Sequence, residues 1–201
     1  MTQIILASQS PRRKKLLEQI GVSFIVSPSD AEEISSQTDP ALLVEDLALL
    51  KAEDVAQKHP ESLIIGADTI VVHQDKTIGK PADKSEAFKF LSTLSDSTHS
   101  VFTGVAFVKS DKNGLITNKH TFHEQTKVTF SALAKDDINA YINTGNPLDK
   151  AGAYGIQDDL GALFVEKISG DYYNVVGFPL NRFYRELKLF MPEMNLIPHN
   201  Q

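Results

Sequence analysis

The sequence predicts an α/β protein in which strands and helices interleave, and three observations carry that prediction. An apolar stretch, Ile4-Ile5-Leu6, runs straight into a hydroxyl-bearing turn and a basic helix. A second run, 63–72, is apolar on both faces apart from Asp68 and Thr69, the pattern of a central strand covered on both sides. Between and beyond these runs apolar residues return at helical spacing, so the two kinds of signal alternate along the chain.

Each element has its own reason. Ser10 is a good N-cap, Pro11 suits the first helical position, and Leu16, Leu17 and Ile20 form an apolar stripe for the first helix. Phe24-Ile25-Val26 is a short extended run, and the polar loop from Ser27 to Glu33 follows it. Leu42, Leu43, Leu47, Leu50, Val55 and Ala56 give a helix over about 40–59. Beyond the central strand, Asp83 caps a helix carrying Ala87, Phe88, Leu91 and Leu94. Two extended runs, 101–108 and about 121–130, make an antiparallel section whose connecting segment contains the turn signal Asn113-Gly114. A helix over about 136–143 comes next, then a Gly-rich polar loop over 145–161 and a short strand at Leu163-Phe164-Val165. A last helix spans 177–190, opened by Pro179. Residues 1–192 read as a single domain, and 193–201, which lack periodicity, as a flexible tail.

Composition narrows the function. The chain has 201 residues, 41% of them hydrophobic and 23% charged, which suits a soluble globular fold with enough apolar material for a core. A net charge of −6 argues against a general nucleic-acid surface, so any positive potential has to be local. The absence of cysteine excludes disulfides, thiolate zinc sites and a cysteine nucleophile. No apolar run approaches the roughly 18 residues of a membrane span, and the N-terminus carries no signal-peptide core, so a cytoplasmic protein without a membrane partner is expected. The Walker phosphate loop, the dinucleotide fingerprint, H-E-x-x-H and G-x-S-x-G are all missing.

The candidate chemistry lies elsewhere. Four consecutive cations, Arg12 to Lys15, open the first helix, where the dipole already places positive potential. Together with Ser8, Ser10 and the free N–H groups of the helix start, they ask for an anion such as a phosphate chain. Asp68 interrupts the most apolar strand, and a carboxylate there needs a cation, a metal or a solvent-filled cleft. A general base and a metal ligand both fit it. Lys51 in the second helix, Lys80 in the turn Gly79-Lys80-Pro81 and Glu33 in the polar loop are further charged candidates. In the loop from Leu148 to Gln157, small residues at alternate positions let a ligand approach the backbone. Tyr154 offers a flat face, and Gln157 offers one donor and one acceptor edge.

Five segments together resemble the Maf family of nucleoside triphosphate pyrophosphatases: Leu6-Ala7-Ser8-Gln9-Ser10-Pro11-Arg12-Arg13, Gly66-Ala67-Asp68-Thr69, Gly79-Lys80-Pro81, the run from Asp149 to Gln157, and the run from Gly170 to Gly177. The resemblance implies a mixed sheet with flanking helices, two lobes around a central cleft and a homodimer. It implies hydrolysis of a nucleoside triphosphate to the monophosphate and pyrophosphate, with a divalent cation, Mg²⁺ or Mn²⁺, as cofactor. By position, Asp68 is then the general base or a metal ligand, and Glu33 assists with metal or water. Ser8, Arg12, Arg13, Lys51 and Lys80 hold the triphosphate. Arg12, Thr69 and Gln157 match the branch that acts on dTTP and UTP, whose base edge a neutral amide can pair with. The family is also associated with inhibition of septum formation, which gives a second expectation: a nucleotide-binding regulator of cell division acting without turnover. The sequence departs from the family pattern twice. Asn146 stands where an acid usually precedes the proline, and the stretch from Asp158 to Gly161 carries one extra residue.

Overall fold

The computed structural model describes residues 2–158 and 160–194. In chain order the elements are β1 (Gln3–Ala7), α1 (Pro11–Gln19), β2 (Ile25–Val26), α2 (Pro40–Ala56), β3 (Ser62–His73), β4 (Lys76–Ile78), α3 (Lys84–Leu94), β5 (Thr98–Ser110), β6 (Ile116–Phe130), α4 (Lys135–Asn143), β7 (Val165–Ser169), α5 (Tyr172–Val176) and α6 (Leu180–Phe190). Short 3-10 turns lie between α4 and β7, at Asn146–Asp149, Ala151–Ala153 and Gly161–Phe164.

The strands form one mixed sheet in the order β2-β1-β3-β5-β6-β7, with β4 pairing β3. β1 pairs in parallel with both β2 and β3, while β4 and β7 join antiparallel. β3 therefore changes its pairing along its length. It runs parallel to β1 as far as the rung Ala7↔Gly66, and antiparallel to β4 from Val71↔Ile78 onward. Asp68 lies in the interval between those two pairings.

Three helix starts carry side-chain caps, and two of these, Ser10 and Asp83, are the ones expected from the sequence. Ser10 Oγ accepts from the Arg13 N–H, Asp39 from the N–H groups of Ala41 and Leu42, and Asp83 from that of Glu86, each cap stabilising its helix by about 1 kcal/mol.

Three boundaries differ from expectation. β6 begins at Ile116 rather than near 121, because its first residues are exposed on both faces and are held by backbone pairing that side-chain patterning does not reveal. The expected strand at Leu163-Phe164-Val165 is a 3-10 turn up to Phe164, with β7 starting at Val165; Leu163 points into solvent while Phe164 is buried. The expected helix over 177–190 is interrupted, since Gly177 adopts φ 119, a left-handed value, and α6 starts only after Pro179.

The chain divides into two compact units, neither continuous in sequence: 1–68, 103–124 and 177–201 make the first, 69–102 and 125–176 the second. In the first unit α2 packs Ala48, Ala52, Val55 and Ala56 against Ile5, Ala7, Ile64, Ala106 and Val108. The approach is close. A Cβ on Gly66 or Gly104 would collide with the α2 carbonyls of Ala48 and Val44. Alternation along β5 turns Phe107 to the other face, where it meets Phe122, Phe183 and Phe190. In the second unit Phe130, Tyr141, Tyr154 and Phe164 interlock edge to face, and α3 packs on α4. No helix among the described residues is long and apolar enough to cross a membrane. Residues 195–201, most of the expected tail, lie outside the described residues.

Candidate active site

The first unit gathers Ser8, Arg13, Glu33, Lys51 and Asp68. The turn after β1 is held by its own hydroxyls: Ser8 Oγ accepts from the Ser10 N–H at 3.3 Å and from Arg13 Nη1 at 3.1 Å. Arg13 points inward and is buried. Its Nε donates to the Gly177 carbonyl at 3.0 Å, and its Nη1 also donates to the Ala67 carbonyl at 2.8 Å. Burial lowers the pKa of the guanidinium, and the Asp68 carboxylate opposes that shift. Arg12, half-buried, lies one position earlier on α1, while Lys14 pairs with Glu18 in solvent, as a simple surface cation does.

Asp68 leaves the apolar strand only to meet an ammonium. Lys51 Nζ lies 2.6 Å from Asp68 Oδ1, with both side chains nearly buried, and 3.0 Å from Glu33 Oε1. Lys51 reaches this position because α2 sits so close on the sheet. Glu33 reaches it because its loop is fastened to the same helix at two points. Ser29 Oγ and the Asp30 N–H both donate to Asp54 Oδ2, at 2.9 and 3.0 Å, and Ser35 Oγ donates to Asp46 Oδ2 at 2.5 Å. Desolvation works against the Asp54 carboxylate, but the bonds from Ser29 and Asp30 and the neighbouring Lys58 outweigh it and hold its pKa below the ordinary value. Neither Asp46 nor Asp54 stood out in the sequence, because acids on an exposed helix face carry no local signal of what they fasten.

Two carboxylates from different elements converging on one ammonium make a hard-oxygen donor pair. No cluster of three or more His, Asp or Glu side chains able to hold a metal occurs among the described residues. Glu33 and Asp68 are nevertheless oxygen donors of the hard type that a divalent ion such as Mg²⁺ takes.

The second unit carries Thr69, Lys80 and Gln157. Lys80 is exposed on its turn, and the preceding Gly79 carbonyl accepts from the Gly152 N–H at 3.0 Å, which ties the Lys80 turn to the Gly-rich loop. Gln157 is exposed at the corner of a turn closed by the Asp158 N–H donating to the Gly155 carbonyl at 3.1 Å. Tyr154 is buried rather than presented as a flat face. Its hydroxyl is 2.8 Å from His99 Nε2, and desolvation raises its pKa well above the ordinary value. Burial pushes His99 down to about 3, with His73 adding to the shift, so its ring is neutral at physiological pH. The Asn146 position, where the family pattern expects an acid, contributes a main-chain carbonyl that accepts from Lys150 Nζ at 2.5 Å. Residue type there does not affect that bond.

The fold and these side chains define an α/β protein with a capped, basic helix start and a lysine-held carboxylate in the same unit. The chain belongs to the Maf family: the profile described as Maf-like protein matches residues 3–190. It is 48% identical over 201 residues to the dTTP/UTP pyrophosphatase of Agathobacter rectalis, covering 94% of this chain and 97% of that one. It is 51% identical over 191 residues to the dTTP/UTP pyrophosphatase of Bacillus cytotoxicus, covering 94% and 96%. Among solved structures, a nucleoside-triphosphatase / dITP/XTP pyrophosphatase from Mycobacterium abscessus aligns over 95% of this chain and 100% of that one, with a TM-score of 0.45 and 13% identity.

Proposed function

We propose that this protein hydrolyses dTTP and UTP to the monophosphate and pyrophosphate. The observation that carries the reading is the short Lys51–Asp68 pair, a carboxylate and an ammonium meeting at an apolar strand in the unit that also holds the Ser8–Arg13 turn. Further support comes from relatives about half identical over 94% of the chain that bear this activity in their names.

In this reading Asp68 accepts the proton of a water that attacks at the α–β anhydride, and that bond breaks with pyrophosphate leaving. Lys51 orients Asp68. Ser8 and Arg12 bind phosphate oxygens, and Arg13 fixes the turn that presents Ser8. Lys80 adds a further charge to the phosphates, and all of these donors stabilise charge that develops as the anhydride breaks. Glu33 and Asp68 would hold a divalent cation, Mg²⁺ or Mn²⁺, which when bound neutralises phosphate charge. Arg12, Thr69 and Gln157 select the base, the Gln157 carboxamide pairing with O4 and N3–H of uracil or thymine. The protein acts as a homodimer in the cytoplasm, as the Maf resemblance implies.

The test is product analysis with purified protein, dTTP or UTP, and Mg²⁺ or Mn²⁺. Monophosphate and pyrophosphate are expected in equal amounts. Release of orthophosphate with the diphosphate, or no turnover at all, overturns the reading.

A further inference from the structure

The turn that carries Gln157 is closed at both ends by one hydroxyl. Tyr141, on α4 and fully buried, accepts from the Gly155 N–H at 3.0 Å and donates to Asp158 Oδ2 at 2.9 Å. Gly155 and Asp158 are the first and last residues of the four-residue turn, so Gln157 sits at the corner of a loop pinned from beneath. Asp158 is held in turn by Lys150 Nζ at 3.2 Å, and Lys150 is itself fixed by Asp149 Oδ1 at 2.7 Å and the Asn146 carbonyl. The packing leaves no slack. A Cβ on Gly155 would run into the Asp158 carboxylate and the Lys150 stem, and one on Gly161 into the Gly155 carbonyl and the Tyr141 hydroxyl. Burial, with Asp158 adding to it, raises the Tyr141 pKa well above the ordinary value, which keeps the proton available for Asp158.

We propose that Tyr141 and Asp158 are positioning residues for base selection, holding the turn from which Gln157 reads the pyrimidine edge. The proposal rests on the assignment of Gln157 made above. A carboxamide reads the pyrimidine edge well only if its backbone is held, because a turn that shifts carries both the donor and the acceptor out of hydrogen-bonding reach of that edge. Tyr141 and Asp158 have no direct part in the chemistry, so their loss acts on recognition and not on the hydrolytic step.

The experiment compares Tyr141→Phe, Asp158→Ala, the double variant and Asp158→Asn in the full-length protein, using kcat and KM for UTP and CTP. Inhibition by inorganic tripolyphosphate reports the phosphate side alone. Tyr141→Phe keeps the ring against Phe164 and removes only the hydroxyl. It is expected to raise KM for UTP about tenfold, leave kcat nearly unchanged, and cut the UTP-over-CTP ratio of kcat/KM about tenfold, the worth of one positioning hydrogen bond. Asp158→Ala should match it, the double variant should be no worse than either, and Asp158→Asn, which keeps an acceptor, should restore most of the ratio. Tripolyphosphate inhibition stays the same throughout. If the folded variants show a lowered melting temperature with an unchanged UTP-over-CTP ratio, the clamp is merely structural and the proposal fails. If Tyr141→Phe does not fold, Asp158→Ala decides on the same ratio. Gln157→Ala separates the two assignments: an unchanged ratio there overturns the role of Gln157. A collapsed ratio there with a preserved one in Tyr141→Phe overturns the clamp alone.

Discussion

Lys51 and Asp68 form a 2.6 Å ion pair in which each side chain is nearly withdrawn from solvent, and Glu33 joins the same ammonium from a loop at 3.0 Å. One cation thus serves two carboxylates. The pair sits where β3 has left its parallel partner β1 and has not yet reached its antiparallel partner β4. A charged side chain is tolerated in that strand because α2 delivers its counterion to the same place.

Asp68→Asn removes the proposed proton acceptor with almost no change in side-chain volume. Pyrophosphate release from dTTP should fall by about 10²- to 10⁴-fold, with KM changed far less. A stopped-time assay of pyrophosphate against wild type checks this, and full activity in the variant would show that another group takes the proton.

Lys51→Met is expected to damage both activity and stability. It leaves Asp68 facing a largely apolar strand with its cation gone, and breaking a buried pair from one side destabilises by on the order of 3 kcal/mol. Urea denaturation monitored by circular dichroism gives the difference from the shift in midpoint.

Excess chelator should stop turnover, and Mg²⁺ or Mn²⁺ should restore it. Glu33→Gln, and separately Asp54→Ala, which unfastens the Glu33 loop from α2, should each raise the half-saturating Mg²⁺ concentration by about tenfold. Metal titrations of initial rate distinguish this from a uniform loss of kcat.

His99 gives the fold an acid-sensitive point. Its native pKa is about 3 against an ordinary 6.5, so between those values the unfolded chain binds a proton that the native state refuses. Stability associated with His99 is therefore intact above about pH 6.5 and is lost progressively as pH falls toward 3, by a few kcal/mol in all. His99→Gln can still bond the Tyr154 hydroxyl and should show a shallower decline in denaturation midpoint between pH 7 and 4.5.

The sequence was most legible where one segment contains its own instructions. Ser10-Pro11 and Asp83 announced helix starts that the side chains then cap, and the run around Ile64 announced a central strand. Asp68 was conspicuous because a carboxylate in such a strand demands a reason. What stayed hidden depends on partners distant in sequence. The exposed start of β6 is held by backbone pairing, and Asp54 and Tyr141 act through bonds to residues 25 and 14 positions away. Tyr154 showed the converse failure, since an aromatic in a Gly-rich loop suggested a ligand face and its ring is packed in the core. The direction of Arg13 was likewise hidden, because a cation on a helix start looks outward until the acceptors behind it are known.

Arg13 also imposes an order in time. Its acceptors are at positions 8, 67 and 177, so one guanidinium joins three segments far apart in sequence. As the polypeptide leaves the ribosome, the Ser8 turn is made early, but the carbonyl that completes its support emerges 164 residues after Arg13. Until then the guanidinium has no reason to leave water, and the turn lacks the shape that presents Ser8. The nascent chain therefore cannot complete the support of one of its earliest turns until Gly177 has been made.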